Sequence, residues 1–500
     1  MRSRRMWAGF LTTVLAVTGA TLATGGLAGA TVVNDEASFR AAYADAAETS
    51  IVLAADITLT CDGGGSGIDT AERLSGTPIT IDGQGHTISQ TCPDRTVLLA
   101  ALGGGLTLER VTLSGGRGGV QGTGTVVARD TRITGMTSPT TDVIGISSTG
   151  PLTLTDVEID DLTSTGGIAG GAVGFPVVAT RLRAHDFGAS AGAAYGVASV
   201  AGATVTDSSF ARLQGVAALG VWTLASSSTV SGTTIADLAG SADAYGILAA
   251  ANTTVTDSSF TGISAPVAGG VLVGGNANVT RSTVADVTGG GTTGGITAEG
   301  SATVVNSTVT GVTGWAVAAG VDLTLVYSTV TGNGQVPDLG ACAVASCGLA
   351  VGASGAAPLA VDSDAQLLAL GVLEAFGSVV AQNLVGGPNC VVGSTASTGY
   401  NLADDTSCGL TGTGDRQVVG IDPRLGVLGA NGGLGPTRIP LADSPLLDAI
   451  PAAACQTGPA AGIVTDERGL PRPALGGCDI GAVEVQPEPP APLPEPRFTG

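Results

Sequence analysis

Lysine is absent from this 500-residue chain, and histidine occurs only at His86 and His185. All 20 basic residues are arginines, set against 41 acids for a formal charge of −21. A surface of that sign repels nucleic acid and polyanionic sugars at long range; a cationic partner or a divalent ion such as calcium stays open, although no calcium motif is present. Aromatics number only 16, so a broad sugar-stacking cleft is not expected, and the interior must be filled by small side chains. The eight cysteines include no C-x-x-C pair, which removes the usual zinc spacing and leaves disulfides as their use in an exported chain. No sustained 3.6-residue apolar period exists, which excludes ankyrin, tetratricopeptide and other helical arrays.

What is present is repetition. TVTDSSF at 204–210 returns letter for letter at 254–260, with the looser STVSGTTI at 228–235 between them. The last apolar residue of each copy falls at Ile88, Leu113, Ile133, Ile159, Ala184, Phe210, Ile235, Phe260, Val284, Val309 and Val330. A second mark, glycine-apolar or aromatic-glycine-apolar, recurs at Val120, Ile146, Val173, Val197, Val221, Ile247, Val271, Ile296 and Val317. Both series step by about 25 residues, too short for a four-stranded propeller blade and right for one coil of a parallel β-helix. Each copy reads strand, bend, strand. The expectation is an all-β, right-handed parallel β-helix of roughly twelve or more coils, with Phe210 and Phe260 pointing inward two coils apart.

Taken in order, residues 1–30 carry Arg2, Arg4 and Arg5, an apolar run from Met6 to Leu22, and Ala28-Gly29-Ala30, the pattern of a cleaved signal peptide. Its removal leaves 17 basic against 41 acidic residues, a formal charge of −24, and no membrane span in the mature chain. Asn34 is expected to cap a short helix whose Phe39, Ala42, Tyr43 and Ala46 share one face and plug the first coil. Strands at 51–59 and 79–88 then open the stack, and coils continue to 332. Residues 333–367 form a Gly/Ala-rich excursion, 368–486 the last coils and an irregular disulfide-bonded region, and 487–500 a Pro-rich extended spacer.

ITIDGQGHTIS at 79–89 resembles the opening coil of many secreted right-handed β-helix proteins. Further on come AFGSVVAQNLVGG (375–387), GYNLADDTSCGL (399–410), IDPRLGVL (421–428), DERGLPRP (466–473) and CDIGAVE (478–484), in an order that resembles the C-terminal part of the choice-of-anchor Q family of secreted bacterial β-helix proteins. That resemblance spans about 110 residues and implies export and surface association, with an anchor that differs between members. It carries no agreed catalytic residues. The chain departs from the pattern by ending in PEPPAPLPEPRFTG with no apolar anchor helix.

Acid–base chemistry has few places to sit. The candidates are Asp160, Asp161, Arg181, His185 and Asp186, spaced so that about one coil separates the acid pair from the histidine. Asp and Gly also belong at bends for conformational reasons alone, and the same holds for Asp404-Asp405. His86 is expected on a turn without a partner. The Gly-His-Gly of polygalacturonase-like β-helices is missing, and Arg181 and Arg183 alternate without a recognisable acid cage. Tyr195, Tyr245 and Trp315 sit at or before the glycine mark, where packing is the first explanation and a shallow binding face the second. Sequence proximity pairs Cys61 with Cys92, Cys342 with Cys347, Cys390 with Cys408, and Cys455 with Cys478. The reading is a monomeric, exported, non-enzymatic surface protein whose partner is a glycan or a protein. A polysaccharide lyase or glycoside hydrolase is the competing class.

Overall fold

The computed structural model describes residues 29–61, 69–290, 293–334, 367–383 and 388–487. Most of the 1–30 leader, the Cys342–Cys347 pair, most of the 333–367 excursion and the tail after Pro487 lie outside the described residues. Among the described residues thirty-seven strands join in one parallel array, three to a coil, which makes about twelve coils of a parallel β-helix. A representative coil runs Thr253–Thr256, Ser259–Ser264 and Val267–Val273. These three positions, repeated coil after coil, form a first, second and third sheet.

The repeated heptapeptide explains the coil residue by residue. Thr254 and Thr256 point out of the first sheet, while Val255 between them is fully buried. Asp257 bends the chain with φ 48°, in a left-handed conformation that Asp tolerates better than most side chains. The same bend recurs at Asp130, Asp156, Arg181 and Asp207. Ser258 turns inward and accepts a hydrogen bond from the Thr233 amide one coil back at 3.3 Å. Its own amide donates to Ser282 at 3.1 Å, the Ser282 amide to Ser307 at 3.2 Å, and the Ser307 amide to Ser328 at 3.3 Å. This buried hydroxyl ladder satisfies the bend amides that the parallel ladder leaves over. Phe260 then points into the core.

The inward column pairs in one register, Ile88↔Leu113, Leu113↔Ile133, Ile133↔Ile159, Ile159↔Ala184, Ala184↔Phe210, Phe210↔Ile235 and Ile235↔Phe260, and continues to Val330. The second sequence series needs one correction. Ile146 pairs with Ala172 and Ala172 with Val197, so Val173, which pairs with Ser147 and Ala198, faces outward. The position is set by the glycine before it: a Cβ on Gly171 would lie 2.5 Å from the Gly196 carbonyl oxygen, and one on Gly220 2.5 Å from that of Gly246. Chains approach so closely in this row that only glycine fits.

At the N-terminus the helix spans Glu36–Ala44, and its cap is Asp35, not Asn34. Asp35 accepts from the Ser38 amide at 2.7 Å, and the Ser38 hydroxyl accepts from the Asp35 amide, a reciprocal box that Asn34 cannot form from one residue earlier. Ala46 lies beyond the helix and is exposed. A strand at Thr31–Val33 precedes the helix and pairs with Ser50–Leu53, so the helix is an excursion from the first coil. Disulfides join Cys61 to Cys92, Cys390 to Cys408, and Cys455 to Cys478.

After Ile421 the chain leaves the helical path and folds back along the second sheet. Asn306 donates to the Thr465 carbonyl at 2.7 Å, Ala482 to the Thr329 hydroxyl at 2.9 Å, and Tyr327 to the Cys455 carbonyl at 2.6 Å. The arm is held by a polar core drawn from DERGLPRP and CDIGAVE. Arg472 is buried 4.0 Å over the Tyr327 ring and 3.2 Å from Glu484, while Asp466 accepts from Arg468 and from the Glu484 amide.

Glu467 seats this arm on the sheet, 2.8 Å from the Thr283 hydroxyl and 2.5 Å from that of Thr308. Both hydroxyls donate to the carboxyl, and the Thr283 hydroxyl shares its proton with the Pro436 carbonyl, 3.0 Å away. Burial pushes the Glu467 pKa up to about 8, against the opposing pull of the two threonines. A carboxyl raised in the folded state holds its proton where the unfolded chain has lost it, so stability is full below pH of about 4.5 and falls as pH climbs through about 8. Thermal unfolding followed from pH 4.5 to 8.5 should show a decline on the order of several kcal/mol, which Glu467→Gln should make clearly shallower, with the remainder due to Glu484, pushed up to about 7 by burial.

Candidate functional site

The outward residues of the second sheet separate into two stretches. From the Thr283 coil onward the arm covers them; the earlier coils are charged from Arg132 to His185 and carry Ser, Ala and Thr from Ser209 to Thr261. Thr112, Arg132, Glu158, Arg183 and Ser209 stack in one column, and Ser114, Thr134, Asp160, His185 and Ala211 in the next. Parallel pairing thus sets Asp160 beside His185 at the strand spacing of about 4.8 Å.

Of the candidates read from the sequence, the structure gathers Asp160, His185 and Asp186 and separates the others. Asp160 is a strand residue and not a bend residue, nearly buried, with both oxygens 2.9 Å from the Arg132 guanidinium and one 2.8 Å from the Thr134 hydroxyl. Burial pushes its pKa up, but Arg132 and Thr134 outweigh that and hold the carboxyl below its usual range. Asp186 sits at a bend with φ 63° and takes a two-pronged contact from Arg212 at 2.5 and 2.8 Å. Arg212, joined by His185, holds it well below the ordinary carboxylate range. His185 bridges two acids, with Nδ1 2.7 Å from Asp186 and Nε2 3.3 Å from Glu158.

Arg181 is a bend residue committed to Asp156 at 2.5 and 2.6 Å, and that arginine holds the Asp156 carboxyl low. Asp161, at φ 55°, turns away at the second bend and makes no side-chain hydrogen bond among the described residues. His86 does have a partner, since its Nδ1 lies 3.2 Å from Asp56, which also caps the Thr87 amide. Asp404 and Asp405 serve turns, accepting from Gln382, Asn389 and Ser407. Arg132, Glu158 and Arg212 were not singled out in the sequence. Their signal was their offset from the candidates by one coil, visible only once the coils are aligned on the inward column.

Arg110, Asp130, Arg132, Asp156, Glu158 and Arg183 line an open depression of about 470 Å³ on this face. Arg110 is paired with Asp82 and Arg132 with Asp160, whereas Arg183 makes no ion pair among the described residues. A general base needs a free lone pair at a pKa near the working pH. Both Asp160 oxygens and both Asp186 oxygens are instead engaged by guanidinium groups, and both His185 nitrogens face carboxylates. Among the described residues no group of three or more His, Cys, Asp or Glu side chains is placed to hold a metal ion. A wider depression, about 760 Å³, lies along Gly188, Ser190, Gln214, Gly215, Gly240 and Ser241, and no titratable residue lines it.

The third sheet has a different outer face. Tyr195, Leu219 and Tyr245 stack in one column, with Val173, Ala198, Trp222, Leu248 and Leu272 in the next. The Tyr195 ring lies over Gly170, Tyr245 over Gly269, and Trp315 over Gly294, each glycine leaving no room for a Cβ. The tyrosines are therefore 4% exposed although they point outward, so they pack against their own sheet more than they present a stacking surface.

Residues 30–174 match a family model described as "Putative pectate lyase-like adhesive domain". The match ends inside the charged stretch, after Asp160 and before His185. No curated protein matches the chain, and no solved structure does. No helix among the described residues is long and apolar enough to cross a membrane. A parallel β-solenoid whose first coils, residues 30–174, are similar to a pectate lyase-like adhesive domain is what the fold and the comparison together establish.

Proposed function

We propose that the protein is exported, works as a monomer at or near the cell surface, and binds a surface glycan or protein without turning it over. The observation that carries this reading is the engagement of the acids: Asp160, Asp156 and Asp186 are each held by an arginine through two contacts and lowered in pKa. Acids so held are strong anions and weak bases. Export draws support from the leader pattern at 1–30 and from three disulfides in the described chain. The adhesive character of the matched family supports binding to a surface partner. Attachment through a choice-of-anchor arrangement rests on the order of C-terminal motifs.

One observation favours the enzymatic alternative: Arg183 stands in the open depression beside Asp156 and Glu158, a charge-stabilising group without an acid of its own. The two readings separate in one assay. The protein is incubated with neutral and acidic polysaccharides, with and without calcium, and product ends are counted beside an Asp160→Asn, His185→Ala double variant. No turnover above the variant is expected. Turnover by the native chain that the double variant loses would overturn the non-enzymatic reading.

A further inference from the structure

The outward face of the first sheet is built unlike the other two. Over seven coils its two outward columns read Thr153/Thr155, Val178/Thr180, Thr204/Thr206, Thr229/Ser231, Thr254/Thr256, Asn278/Thr280 and Thr303/Val305. Every one of these residues is exposed or half-exposed and none is charged, although Val305, at the end of the strip, packs against the apolar cluster of the folded-back arm. All but Ser231 and Asn278 are threonine or valine, two side chains of one shape. General strand preference for β-branched residues does not by itself account for this, since over the same coils the third sheet carries Tyr, Trp, Leu and Gly outward, and the second carries Glu158, Asp160, Arg183 and His185 and after them a mixture of Ser, Ala and Thr.

The pairing holds one register from Leu152 to Val305 with no bulge, so the rows are fixed in two directions. Neighbouring coils repeat at about 4.8 Å, and the two threonines of a strand stand about 7 Å apart, giving a strip about 29 Å long. β-Branched side chains are restricted at χ1, so the strip loses less side-chain entropy on binding than one of long, flexible residues would. Apart from a Ser231–Thr206 contact of 3.5 Å, these hydroxyls have no protein partner among the described residues. Charges flank the strip at the neighbouring bend, where Arg181 and Arg281 are tied to Asp156 and Asp257, and at its N-terminal end, where Arg129 is paired with Glu109 in the coil before Thr155.

A flat strip of paired hydroxyl and methyl groups has no concavity for a small ligand and no charge for an ionic one. Its complement is a surface that is itself flat, neutral and periodic at about 4.8 Å by about 7 Å. The oxygen rows on the prism face of ice repeat at spacings close to both. The threonine hydroxyls can hydrogen-bond lattice water at regular intervals, while the methyls between them hold the intervening water in place. We propose that the outward face of the first sheet binds crystalline water, adsorbing the protein to an ice surface. This adds to the adhesive reading without resting on it, since the result of a turnover assay leaves it untouched.

Partition of the full chain into a slowly grown ice hemisphere tests the proposal, with serum albumin run alongside. The chain is expected to be enriched several-fold in the ice over albumin and to facet a growing crystal. A Thr229→Arg, Thr254→Arg double variant, shown by circular dichroism to be folded, should fall to the albumin level. Gln214→Arg, exposed on another side, should partition like the native chain. Exclusion of the native chain from ice to the albumin level would overturn the proposal whatever the variants do. So would a folded double variant that still enters the ice. Exclusion from ice together with capture on crystalline cellulose, or with a concentration-dependent dimer in sedimentation that the double variant abolishes, would assign the face to another periodic polymer or to a second copy.

Discussion

Phe260→Asp is expected to destabilise the protein by about 4 kcal/mol or more, because it removes a fully buried ring and leaves an unpaired carboxylate in a dry stack. The ring stacks between Ile235 and Val284, and nothing in that column offers a hydrogen bond. The carboxylate has two ways out, protonation or local opening of the coil, and each is costly. Denaturant unfolding at pH 7 measures the loss. A variant within 1 kcal/mol of the native chain would mean that the side chain at 260 reaches solvent and that the inward register is wrong.

The second large effect belongs to a residue without a side chain. Gly220→Ala places a Cβ 2.5 Å from the Gly246 carbonyl oxygen and 2.8 Å from Ile235 Cδ1, so a backbone strand must move. The expected loss is about 3 kcal/mol, near the upper end for overpacking. Gly188→Ala is the control, since a Cβ there meets nothing within 4 Å and its φ is ordinary. It should be neutral or slightly stabilising, because alanine restricts the unfolded chain. Equal effects at 188 and 220 would remove close backbone approach as the reason for the glycine row.

These two positions also show what the sequence could convey. The inward column was legible because a 25-residue coil repeats the same demand on every rung, and each of its members from Ile88 to Val330 is buried. The third-sheet series slipped at one coil for a physical reason. Within GGAVG the larger residue, Val173, looks like the core member, but the close approach occurs at Gly171 and sends Ala172 inward. The helix cap slipped in a similar way, by one residue, between two neighbours that can both cap.

The charged stretch was half legible. His185, Asp186 and Asp160 stood out as rare or paired residues, whereas their partners Arg132, Glu158 and Arg212 looked ordinary until the coils were set in register. Arg181 and Asp161 were drawn into the same group by proximity in sequence, and bends at φ 54° and 55° take them elsewhere. The seating of Glu467 on Thr283 could not be read at all, because 184 residues separate the two and no repeat relates them. The carboxylates and arginines of the DERGLPRP and CDIGAVE motifs around it form the polar core of the folded-back arm.

Removal of one whole coil tests the central claim most directly, namely that each residue of the repeat has a fixed place and that coils are interchangeable units. Thr234 pairs with Ser259, so deletion of residues 234–258 joins Thr233 to Ser259 in phase and leaves the arm contacts at Thr283 and beyond intact. The shortened chain is expected to keep its β-sheet circular dichroism, sediment as a compact particle and unfold within a few degrees of the native chain, whereas deletion of 234–246 should leave it unfolded or aggregated. A whole-coil deletion that behaves like the half-coil deletion would contradict the account.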